Sequence, residues 1–183
     1  MLVYQEETHS YFNDGKHIPS VTQTIKEFFP LDPNIPAHVL EAARKRGKIL
    51  HQTLEFLDLG VLEDYDPSLQ WAVDAWDEWK FGKEIIAIEK MILHPDGLYA
   101  GRIDRVVKEG EKVYIVDIKT SVNLKLTPLQ LHGYWRATDG NGLKIIQMRD
   151  KKLKEIEVDI DYDLGELFES MAKLWHYKRE NKL

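Results

Sequence analysis

Cysteine is absent from all 183 residues. That one absence excludes a disulfide framework, a thiol nucleophile, a cysteine zinc site and a cysteine-held iron–sulfur cluster, so any metal must rest on oxygen and imidazole. Long apolar runs are missing as well. None approaches the roughly 20 residues that span a bilayer, and the opening MLVYQEETHS has neither the basic start nor the apolar centre of a signal peptide. No membrane contact and a cytoplasmic location are expected. An excess of positive charge is also lacking: the formal net charge of −6 argues against a protein that coats nucleic acid indiscriminately, yet leaves room for a local basic groove. Repeats, low-complexity tracts and domain linkers are absent too.

What is present is the material of one folded domain over residues 1–183, with 43% hydrophobic and 31% charged residues and five tryptophans. LVYQEETHSYFNDGKHIPS reads as a hairpin turning at Asn13-Asp14-Gly15. Ser20 is the N-cap of a helix, VTQTIKEFF, that stops before PLDPNIP, where three prolines forbid regular structure. A long helix is expected from Pro36 to Leu59, with Val39, Leu40, Ala43, Ile49, Leu50, Leu54 and Leu57 as its apolar stripe. Another begins at Asp66-Pro67-Ser68 and ends at Gly82, with Trp71, Ala75 and Trp79 turned to the core. Strands follow at 84–94, 98–108 and 111–120, then a helix from Thr127-Pro128 to Thr138, two strands in LKIIQMRD and LKEIEVDID, and a closing helix, LGELFESMAKLWHYKRE. The fold class predicted is α/β, with a mixed twisted sheet of about five strands flanked by helices and an N-terminal hairpin.

The charged residues of the central strands are out of place for buried sheet. Two-residue loops at Asp96-Gly97 and Glu109-Gly110 set a register in which Glu89 faces Asp104 and Asp104 faces Ile115, diagonal to Asp117, with Lys119 on the same side. Asp104 and Asp117 then stand about 7–8 Å apart, a span one divalent cation bridges. Acids this close repel unless a cation such as Mg²⁺ or Mn²⁺ neutralises them. The alternative is an ion pair between Asp104 and Lys119 on a wet sheet face, worth under ~1 kcal/mol. The apolar runs IIAI and VYIV beside the acids favour a covered sheet.

Other candidates flank this patch. Glu89 is an outer ligand, the holder of a second ion, or an ordinary surface acid. His51 follows Gly47 by four residues, so a glycine lets the helix approach the sheet on the side from which the imidazole projects. Gln130 and Tyr134 share one helical face just after the strand that ends in Lys119; they are either a polar edge or a pair that orients Lys119 and holds DNA. Arg44, Lys45, Arg46 and Lys48 are either a solvated face or the receivers of an entering strand's phosphates.

Taken together, GRID (101–104), VDIKTS (116–121), QLHGY (130–134) and GKILHQTLE (47–55) resemble, in order, motifs of the PD-(D/E)XK nuclease superfamily in its RecB-like exonuclease branch. IPSVTQTI (18–25) is similar to the opening of small phage-type exonucleases and of the mitochondrial genome maintenance exonuclease. The resemblance implies a restriction-endonuclease-like core and a Mg²⁺- or Mn²⁺-dependent DNA exonuclease. It makes Asp104, Asp117, the Ile118 carbonyl and His51 the metal ligands and Lys119 the catalytic lysine, without an iron–sulfur cluster. It implies linear DNA, single-stranded ends included, as substrate, a recombination or replication protein as partner, and a host-cell cytoplasm if the chain is phage-encoded. The alternatives are a structure-selective endonuclease on the same fold and an inactive DNA-binding module.

Overall fold

The computed structural model describes residues 1–8 and 10–182. Asp14-Gly15, both at positive φ, turn the chain inside a small antiparallel sheet of β1 (Leu2–Gln5), β2 (Ser10–Asn13) and β3 (Lys16–Ile18), the expected hairpin with one strand more. Ser20 closes a capping box: its Oγ accepts the Gln23 N–H (3.0 Å) while Gln23 Oε1 accepts the Ser20 N–H (2.9 Å), and α1 (Val21–Phe28) starts there. After the proline-rich stretch comes α2 (Ala37–Asp58), then a short 3₁₀ turn capped by Asp66 that leads into α3 (Gln70–Lys80).

Five strands form the main sheet in chain order: β4 (Glu84–Leu93), β5 (Ala100–Glu109), β6 (Lys112–Lys119), β7 (Gly142–Arg149) and β8 (Lys152–Val158). All neighbours are antiparallel except β6 and β7. A parallel pair cannot be closed by a tight turn, and α4 (Leu126–Trp135) supplies the crossover. Finally α5 (Tyr162–Glu180), N-capped by Asp161, packs on α4 and α1. The sheet therefore has two cores. Val21 and Ile25 of α1, Leu129 and Leu131 of α4, and Phe168 and Ala172 of α5 cover one face. Leu50 and Leu54 of α2 with Trp76 and Trp79 of α3 cover the other.

Three expectations need correction. The β5–β6 turn is Gly110-Glu111, with Glu109 paired to Lys112, because Gly110 takes the positive-φ position (φ +61) first in the loop and not second. The register shifts by two residues: Ile115 lies opposite Val106, and Asp104 comes level with Asp117. Since two is the side-chain period, the face of every residue is unchanged. Secondly, the first half of α2 has no core to cover, so Val39, Ala43 and Ile49 are exposed and burial begins at Leu50. Thirdly, the buried line of α3 runs through Ala72, Val73, Trp76 and Trp79, with Trp71 and Ala75 only half-buried at its edge. The β4–β5 register stands as expected over Ala87–Leu93, although the connection is a longer turn closed by the Tyr99 carbonyl accepting the His94 N–H.

Candidate active site

The ladder between β5 and β6 ends at Arg105–Val116. One residue further, Asp104 Oδ2 accepts the Ile118 N–H at 2.7 Å, so a carboxylate takes the donor that a continued ladder would give to a backbone carbonyl. The strands part here and leave room for side chains between them. Burial pushes the Asp104 carboxyl up, but His51, Lys119 and the Ile118 N–H together bring it down to about 2.

Asp117 stands next to it on β6, 1% exposed. Its Oδ1 accepts from Lys119 Nζ (2.7 Å) and Gln130 Nε2 (3.0 Å), and Gln130 Nε2 also donates to Tyr134 Oη (2.9 Å). Lys119 is thus paired within its own strand, not across to Asp104 as the ion-pair alternative required. The Oδ2 of Asp117 is buried with no hydrogen-bond partner among the described residues. Burial, reinforced by Asp104 against the pull of Lys119, pushes the Asp117 carboxyl up to about 6. Gly101 brings the strand against this assembly: a Cβ there would meet Tyr134 Cε1 at 2.8 Å and Val21 Cγ2 at 3.2 Å.

His51 reaches the same place from α2, with Nδ1 3.5 Å from Asp104 Oδ1. Burial lowers the imidazole pKa, but the charge and hydrogen bond of Asp104, with the charge of Asp117, together outweigh this and leave it raised. Glu89 arrives from the edge strand β4, at a residue with φ +48 that interrupts the strand's pleat. His51, Glu89 and Asp104 offer ligand atoms that all lie within 4.8 Å of one another. Burial and the Asp104 charge push the Glu89 carboxyl up. An oxygen and imidazole set of this kind, beside an orphaned carboxylate oxygen, is chemically matched to a hard divalent cation. The side chains open into a cleft of about 760 Å³ walled by the N-terminal sheet, α1 and α2.

A search of solved structures finds an alkaline exonuclease, LHK-Exo, from Laribacter hongkongensis: TM-score 0.55, 12% identity, 90% of this chain and 89% of that one covered. The chain shares its overall fold with that enzyme. The same enzyme in complex with dAMP matches with TM-score 0.52 and 11% identity, again over 90% of this chain and 89% of that one. No family model matches the sequence, and neither does any curated protein. The likeness is thus one of architecture, and the residues must carry the chemistry.

Two groups of candidates behave differently from the rest. Arg44, Lys45, Arg46 and Lys48 are all exposed on the uncovered half of α2, and of the four only Lys48 lines the main cleft; Arg46 faces a second hollow on the other side of the helix. Gly47, argued to permit close helix–sheet approach, does no such thing, because a Cβ built there meets nothing within 4 Å. It lines the cleft instead.

Sequence reasoning missed the support behind the site. Arg105 is fully buried; its Nε donates to Asp58 Oδ2 (2.7 Å) and its Nη1 to the Asp104 carbonyl (2.5 Å), while Trp76 Nε1 donates to Asp58 Oδ1 (2.9 Å). The available signal was an arginine inside the apolar stretch IDRVV, since a buried guanidinium demands a carboxylate from elsewhere. Among the other histidines, His94, His132 and His176 are structural, bonded to Glu169, Pro128 and Leu98 respectively.

Proposed function

We propose that the chain is a divalent-metal-dependent DNA exonuclease of the PD-(D/E)XK superfamily, RecB-like branch, acting on linear DNA in recombination, replication or processing. The observation that carries this reading is the convergence of two adjacent carboxylates, a half-buried Asp104 with an imidazole on it and a buried Asp117 with a lysine on it, beside the cleft that His51, Glu89 and Asp104 line. Asp104, Asp117, His51 and the Ile118 carbonyl would hold Mg²⁺ or Mn²⁺, with Glu89 as a further oxygen. A bound divalent ion supplies polarisation of a phosphate oxygen and a lowered pKa for a bound water.

The protein's own groups have distinct tasks. Lys119 is held protonated: burial lowers its pKa, but Asp117 and Asp104 raise it more, so the net shift is upward. Beside Asp117 it would orient the water and meet the charge developing on the phosphate. Gln130 and Tyr134 position Asp117, since one amide nitrogen bridges the Asp117 carboxylate and the Tyr134 hydroxyl. The tyrosine stays neutral because burial and the two aspartates push its pKa well up, and its hydroxyl accepts from Gln130. Lys48 would receive phosphates at the cleft mouth.

End-labelled linear and closed circular DNA, incubated with Mn²⁺ or with EDTA beside Lys119→Ala, test the assignment. Loss of linear DNA alone, only with metal and only with Lys119 present, is expected. Nicking of circles would make it an endonuclease, and retention on DNA without cleavage a binding module.

A further inference from the structure

Glu89 is held by two arginines of unequal freedom. Its Oε1 lies 3.3 Å from Arg105 Nη1 and its Oε2 2.9 Å from Arg102 Nε. Arg105 cannot leave: its side chain is 0% exposed, and Asp58, equally buried, accepts from its Nε. Arg102 can. Its side chain is 48% exposed on the cleft wall, with the guanidinium 5.8 Å from the Tyr4 ring. A left-handed backbone at a non-glycine residue such as Glu89 persists where the surroundings over-determine it, and the buried arginine supplies that constraint.

The carboxylate so held also belongs to the His51–Glu89–Asp104 cluster. A carboxylate oxygen that accepts from a guanidinium has less electron density to offer a cation. Arg102 and a divalent ion therefore contend for the same carboxylate. A guanidinium displaced from Glu89 stays in the cleft, where its planar fork fits the two oxygens of a phosphate.

We propose that Arg102 is an exchangeable counter-ion of Glu89, displaced by the divalent cation and thereby released to a phosphate of the substrate strand, while Arg105 keeps Glu89 aimed at the site. The proposal rests on the metal-dependent reading above. Its consequence is linkage: cation and DNA both favour the arrangement in which Arg102 has left Glu89, so each strengthens binding of the other.

Calorimetric titration of Mn²⁺, without DNA, into wild type, Arg102→Gln, Glu89→Gln and the double variant is the test. Removal of a half-exposed competitor is expected to tighten Mn²⁺ binding about fivefold. That gain must disappear in the Glu89→Gln background, where no carboxylate remains to be contested; a gain that persists there is a general field effect and overturns the exchange. Unchanged or weaker binding by Arg102→Gln overturns it too. In a Lys119→Ala background, which prevents turnover, Mn²⁺ is expected to tighten binding of a labelled single-stranded oligonucleotide, and adding Arg102→Gln is expected to remove most of that tightening. Equal tightening with and without Arg102 counts against the proposal. If wild type neither binds Mn²⁺ nor cleaves DNA, the metal-dependent reading itself fails; if it does both and the Arg102 effects are absent, only the exchange fails.

Discussion

Asp117 is asked to do two incompatible things, to lie almost wholly out of water and to carry a charge. One oxygen is stabilised by Lys119 and Gln130, and the other is buried without a hydrogen-bond partner among the described residues. Asp117→Ala is therefore expected to abolish Mn²⁺ binding, whereas Lys119→Ala keeps Mn²⁺ affinity and loses turnover by about 10²–10⁴-fold. Titration beside single-turnover assays checks this division, and equal loss of metal affinity in both variants contradicts it. A pH dependence follows from the same burial. With the Asp117 carboxyl pushed up to about 6 and the His51 imidazole also raised, acidification through that value protonates both ligands, so Mn²⁺ affinity falls by up to about a hundredfold per pH unit below it, and binding near that pH releases protons from both. Calorimetry in two buffers of different ionisation enthalpy reads the protons directly. The stability signs of the two acids are opposite. Asp117, raised on folding, favours the fold as pH falls through about 6; Asp104, lowered to about 2, contributes stability above the usual aspartate range that is lost as pH falls through that value. Behind them, Arg105→Met is expected to cost about 3–5 kcal/mol in chemical denaturation, because it leaves the buried Asp58 charge without its strongest partner.

The elements differ in how much of the fold they serve. Helix α2 is a core helix from Leu50 onward and a projecting one before it, with His51 at the junction. Its apolar stripe was legible in the sequence, but whether anything covered it was not, since a period marks a face and says nothing of the neighbour. Gly47 lies in the projecting half with open space around it, so Gly47→Ala is expected to raise stability by up to about 1 kcal/mol through helix propensity alone. A concurrent fall in DNA affinity would show that the cleft needs the bare backbone at that point. Helix α3 is read by the same logic: the tryptophans announced a core face, and the choice of Trp76 over Trp71 as its centre was made by the hydrogen bond to Asp58. In the sheet, Gly110 decided the β5–β6 register. The two-residue slip between expectation and structure left the acidic face intact because the side-chain period is also two, which is why the site survived an error in its construction.

At the scale of the molecule, the sheet is a partition between two apolar cores, and the cleft opens at one end of β5, between the N-terminal sheet, α1, α2 and β4. A cation held by His51, Asp104 and Asp117, as proposed, would tie together residues of α2, β5 and β6 that converge only in the folded chain. At 100 times its Kd it is expected to add about 2.7 kcal/mol, or roughly 5–10 °C in Tm, with EDTA reversing the shift in a thermal melt.

By itself, the sequence determined which residues bear chemistry and which faces are apolar. Both are written in local periods of two and 3.6 residues and in the turn chemistry of Gly, Pro, Asp and Ser. The α/β class, the order of the strands, and the placing of Asp104, Asp117, Lys119 and Glu89 on a common side follow from those periods. Only the tertiary structure decided that Asp104 would leave the ladder to take the Ile118 N–H, that Asp58 and Arg105 would meet beneath the site, and that Arg102 would share Glu89 with it. Each joins residues distant in the chain or arises where a regular ladder ends. Such contacts depend on how far two strands part or a helix overhangs, quantities set by the packing of the whole domain and encoded in no local pattern.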